Sequence, residues 1–86
     1  MKNATNKMQN LKTKLTNLIK EKLKIKDKKI DISKLGIGKH NKWDSLMHIN
    51  ILLDVEKIFN IRFTMKEMTE INSYKDILNK LKKIIQ

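Results

Sequence analysis

Apolar residues recur at three- and four-residue spacing through Met8, Leu11, Leu15, Leu18, Ile19 and Leu23, with lysine and asparagine between them. The spacing predicts a long amphipathic helix over about 5–25. Lys20, Lys22 and Lys24 fall mostly off that stripe, as a solvated face would. The pattern then breaks. Residues 26–43 are too polar and too glycine-punctuated for a helix, and Ile30, Ile32, Leu35 and Ile37 are expected to pin this loop onto the core. A loop of that length in a small domain is uncommon and tends to be functional. Gly36 and Gly38 permit backbone angles that other residues avoid.

Helical spacing returns with Leu46, Ile49, Leu52, Leu53, Val55, Ile58 and Phe59, which predict a second helix over about 45–59 with a broad apolar face. Asn60 is a plausible stop, because asparagine tolerates the left-handed conformation. Ile61-Arg62-Phe63 reads as a short extended link with two inward apolar groups. Thr64-Met65-Lys66-Glu67 matches a capping box and opens a short helix, about 65–71. Ser73-Tyr74-Lys75-Asp76 has the same spacing and opens a last helix, about 74–85, with Tyr74, Ile77, Leu78, Leu81, Ile84 and Ile85 inward. No strand-like alternation appears and proline is absent. The expected fold class is all-α. It is a small four-helix bundle of three longer helices and one short helix, with a long loop between the first two, in a single domain over 1–86.

At 86 residues the chain buries one modest core. Cysteine is absent, which removes disulfides and thiolate metal sites, and His40 and His48 are too few for a zinc site on their own. No apolar run approaches the roughly 18 residues that span a membrane. The segment MKNATNKMQN lacks the apolar stretch of a signal peptide, so a cytoplasmic location is expected. The chain is also expected to be a monomer. The formal net charge of +11 raises nucleic acid as a partner. Its distribution points elsewhere. Residues 1–42 carry a net +10, residues 43–86 only +1, and the stretch 43–60 is −2. Lys, Asn and Ile together make up 41 of the 86 residues, and all three have A/T-rich codons, so codon bias alone accounts for much of the lysine. Aromatics are few and only one arginine is present, which leaves a small basic nucleic-acid-binding domain as the alternative reading, resting on charge.

The chemistry concentrates in Asp44-Ser45-Leu46, which follows the glycine loop and opens the second helix. A hydroxyl in the first turn of a helix lies beside unpaired backbone N–H groups and the positive end of the helix dipole, where an anionic group is stabilised. Ser45 also suits a plain N-cap, and Asp44 a helix-start carboxylate. His48 lies three residues from Ser45 on the same face, so either a contact with an anion or partner near Ser45 or an ordinary surface histidine fits. Trp43 fits a hydrophobic staple against the second helix. No Ser–His–Asp set, phosphate-binding glycine loop or metal-ligand cluster marks an enzyme.

The segment Trp43-Asp44-Ser45-Leu46-Met47-His48-Ile49 resembles the attachment site of acyl and peptidyl carrier proteins. The likeness continues through Leu46 to Phe59, through Asn60-Ile61-Arg62-Phe63, and through the short and the last helix. It implies a bundle of acyl-carrier-protein type and a non-catalytic function. Ser45 would receive 4′-phosphopantetheine from coenzyme A through a phosphopantetheinyl transferase. It would then carry acyl or aminoacyl intermediates as thioesters to the loading and transfer enzymes of a biosynthetic pathway (specialised-metabolite, polysaccharide-linked or fatty-acid). The resemblance assigns partner recognition to Asp44, Leu46, Met47 and His48, with Asp44 facing the transferase. For Leu46 ordinary core packing is the other reading. Trp-Asp-Ser-Leu with a histidine nearby is similar to a subgroup tied to surface-polysaccharide or specialised-metabolite pathways. The second helix departs from the dense acidic pattern of fatty-acid carriers, since Asn50 and Lys57 stand where acids are common. That departure points towards partners with less basic docking surfaces.

Overall fold

The computed structural model describes the backbone of residues 4–85 and the side chains of residues 10–85. Met8 of the expected apolar stripe lies outside the described side chains. Four helices follow one another: α1 (Ala4–Leu23), α2 (Ser45–Phe59), α3 (Met65–Glu70) and α4 (Tyr74–Ile85). No strand occurs among the described residues, and no helix there is long and apolar enough to cross a membrane.

Leu11, Leu15, Leu18, Ile19 and Leu23 form one buried stripe along α1, which packs against both α2 and α4. α2 contributes Ile51, Leu52 and Val55; α4 contributes Tyr74, Ile77, Leu78 and Leu81. α3 buries no residue fully and rests on the core through Met68. Lys22 and Asp54 form a part-exposed ion pair at 2.6 Å between α1 and α2. Such a pair is worth no more than about 1 kcal/mol.

α1 stops before the expected Ile25. Lys24 adopts a left-handed φ of 55°, and the N–H groups of Lys24 and Ile25 bond back to the carbonyls of Glu21 and Lys20. This paired return is the Schellman closure of a helix end. The loop that follows contains a single 3-10 turn, Ile32–Lys34, opened by the Asp31 carboxylate. Ile32 and Leu35 are buried and Ile30 and Ile37 partly so, which fastens the loop to the core. Leu35 accepts from the Tyr74 N–H, Ile37 donates to the Asn72 carbonyl, and Gly36 bridges Ser73. The loop is thereby tied to the start of α4.

Ile84, placed inward by its spacing, is exposed on α4, and on the broad apolar face of α2 so are Leu46, Ile49, Leu53 and Ile58. At 3.6 residues per turn, the apolar residues of α2 spread around more than half of the helix, while its neighbours cover only one side. The buried side is His48, Ile51, Leu52 and Val55.

Candidate functional site

The start of α2 is built by Trp43 and Asp44. Asp44 is the N-cap: its backbone is extended and its carboxylate accepts from the Met47 N–H at 2.9 Å. Ser45 is therefore the first helical residue and not the cap. Its side chain is exposed, and no hydrogen bond to its hydroxyl is formed among the described residues. The capping task falls to Asp44, so the Ser45 oxygen is left available for substitution.

Trp43 sits just before the cap and His48 four residues after it, which are the two positions of a hydrophobic staple. Trp43 is 0% exposed and His48 only 7%. The indole Nε1–H donates to His48 Nδ1 at 2.9 Å, and His48 Nε2 lies 2.7 Å from the Ile71 carbonyl. Indole nitrogen is a donor only, so Nδ1 is the acceptor and the ring proton resides on Nε2, which donates to Ile71. This corrects the placement of His48. It is neither a surface histidine nor a group facing an anion at Ser45, because both ring nitrogens are engaged inside the core. Its work is to hold the first turn of α2 against the end of α3.

Leu46 is 70% exposed and Met47 half-buried. Leu46 does not pack in the core. With Ile49 (55% exposed) and Leu53 (43%) it forms an apolar ridge along α2, at i, i+3 and i+7. Ser45 lies one turn from Ile49, so the ridge starts beside the serine. Spacing alone puts Ile49 and Leu53 on the same broad apolar face as the buried residues. The signal that separates them is angular: Leu46, Ile49 and Leu53 make one stripe, and His48, Ile51, Leu52 and Val55 make another.

Among the described residues no group of three or more His, Asp or Glu side chains is placed to hold a metal. No family model, curated protein or solved structure matches this chain. The site itself offers an exposed hydroxyl at a helix N-terminus, an aspartate cap before it and an apolar ridge after it.

Proposed function

We propose that this chain is a carrier protein of the acyl-carrier type, with Ser45 as the attachment point of a 4′-phosphopantetheine arm. One observation carries the reading: Asp44 caps α2, so the exposed Ser45 hydroxyl is not spent on the cap and stands at the positive end of a helix. The residues present fit the group. A phosphodiester at Ser45 Oγ is an anion beside the free N–H groups of the first turn, and solvent exposure leaves its arm room to swing.

Attachment forms one bond from Ser45 Oγ to the phosphorus on the pantetheine side of the coenzyme A pyrophosphate. The pyrophosphate P–O bond breaks, the nucleotide part leaves, and the serine proton passes to a base of the transferase. Once bound, the arm supplies the thiol that this cysteine-free chain lacks. Asp44 presents a carboxylate to the transferase, and the Leu46–Ile49–Leu53 ridge offers partner enzymes an apolar contact next to the cargo. Tethering raises the effective concentration of that cargo at a docked active site.

The test is incubation with coenzyme A and several broad-specificity phosphopantetheinyl transferases, read by intact mass. Wild type is expected to gain one arm and Ser45→Ala none. Asp44→Asn preserves a good N-cap while removing the charge. It is expected to stay folded yet be modified more slowly. Absence of any mass gain on wild type with every transferase would sink the proposal.

A further inference from the structure

A second feature lies away from Ser45, where α1, the 3-10 turn and α4 meet. A cleft of about 310 Å³ opens there, and none of its lining residues belongs to α2. Lys75, Asn79 and Lys82 line one side from α4, at i, i+4 and i+7, so they share a face of that helix. Lys12 lines it from α1 and Ser33 from the 3-10 turn. The floor is Tyr74 and Leu78, both buried. Tyr74 is held in place by a 2.9 Å hydrogen bond between its hydroxyl and Thr16 Oγ1.

Three lysines line this concavity, and their ammonium groups repel one another as they approach unless an anion lies between them. Lys22 and Lys80 are paired with Asp54 and Glu70, whereas Lys12, Lys75 and Lys82 form no ion pair among the described residues. The Asp31 carboxylate is within electrostatic reach of Lys75. Asp31 accepts from the Ser33 hydroxyl at 2.6 Å and the Ser33 N–H at 3.0 Å, which hold it at the 3-10 turn. Three lysines and no acidic residue line the cleft, so it carries an excess of positive charge over an apolar floor.

We propose that this cleft binds a small phosphate monoester, its dianion held by Lys12, Lys75 and Lys82 and its organic body laid over Tyr74 and Leu78. Lysines recognise phosphate as point charges, without the planar geometry that arginine imposes. The volume stands at the lower end of the range for small-molecule sites. A nucleic acid is the poorer fit. Strand binding without sequence preference uses exposed aromatic platforms, whereas the one aromatic here is buried, with its hydroxyl engaged. The inference is independent of the Ser45 reading.

The experiment is a titration of the ¹⁵N-labelled chain, followed by amide chemical shifts. The ligands are inorganic phosphate and adenosine 5′-monophosphate, with adenosine and chloride at matched ionic strength as controls. Both phosphates are expected to give saturating shifts at Ser33, Lys75 and Asn79, with the nucleotide binding tighter. Lys75→Gln/Lys82→Gln is expected to weaken binding by about tenfold or more, and Lys12→Gln by a smaller factor. Lys20→Gln/Lys24→Gln, outside the cleft, is expected to leave it unchanged. Non-saturating shifts would overturn the proposal, as would equal responses to adenosine and its phosphate or an equal loss in the Lys20/Lys24 pair. Tighter binding of single-stranded DNA, with shifts spread along the α1 lysines, would replace it with a polymer surface.

Discussion

Trp43 and His48 illustrate how little freedom a single residue has once its neighbours are set. The indole can only donate, so the histidine must accept at Nδ1 and donate at Nε2, and the Ile71 carbonyl receives that proton. The sequence shows a tryptophan and a histidine at staple spacing, but the third partner is 23 residues further on. Trp43→Phe keeps most of the ring volume and leaves His48 Nδ1 buried without a donor. Its expected cost is about 1–3 kcal/mol, measured by urea unfolding followed by circular dichroism. A variant as stable as wild type would show that the indole–imidazole bond adds nothing beyond packing. Ser45 is the opposite case, a residue defined by the absence of obligations, because Asp44 has taken the cap.

At the scale of the element, helix ends decide where chemistry can occur. α2 begins at the Asp44 cap and ends at Asn60, whose left-handed φ of 53° turns the chain out of the helix. α3 is only six residues long and is opened by a complete capping box: Thr64 Oγ1 accepts from the Glu67 N–H, and Glu67 accepts from the Thr64 N–H. α4 uses a shifted version, in which Ser73 Oγ accepts from the Asp76 N–H while the Asp76 carboxylate reaches back to the Asn72 N–H. The Thr64 N–H holds the Glu67 carboxyl below its ordinary range. A depressed carboxylate stabilises the fold above its unfolded pKa, and this contribution fades as pH falls through the folded one. Glu67→Ala is therefore expected to melt below wild type at pH 7, with the gap closing as the pH drops under about 4. Thermal scans across that range check it; a gap of constant size would mean the carboxylate charge is irrelevant. The Asp31 carboxyl is lowered in the same sense, first by the Ser33 hydroxyl and then by the Ser33 N–H, so acid also loosens the 3-10 turn.

Over the whole molecule, the loop between α1 and α2 is a strap and not a tether. Leu35 and Ile37 hydrogen-bond to Tyr74 and Asn72 on either side of the paired Gly36 and Ser73, which joins the entrance of α4 to the segment that delivers Ser45. Gly36 is demanded by that approach, since a Cβ there would meet the Asn72 carbonyl oxygen at 2.7 Å and Ser73 Cβ at 2.9 Å. Gly36→Ala is expected to cost about 1–3 kcal/mol through overpacking against backbone. It should also raise amide exchange at Ile37 and Tyr74 ahead of the rest of the chain. Unchanged stability and exchange would mean that the strap is easily displaced. Charge is likewise arranged at this scale. The α2 segment beside Ser45 is slightly acidic, while Lys12, Lys75 and Lys82 collect on the α1–α4 side.

The sequence by itself determined the helices, the strand-free class, the short α3 with its capping box and the position of the serine. These follow from local rules, because apolar spacing, caps and stops act within a few residues of each other. It also showed that loop apolar residues would bind to the core, for the same reason that any buried stripe needs a cover. Tertiary structure alone decided which apolar residues of α2 are covered. Leu46, Ile49 and Leu53 became a free ridge because α1 packs on the other side of the helix. It also turned His48 inward, since the Ile71 carbonyl needed a donor and Trp43 an acceptor. The lysine cleft belongs to the same category, because Lys12 and Lys82 are 70 residues apart along the chain and only the packing of α1 against α4 makes them neighbours.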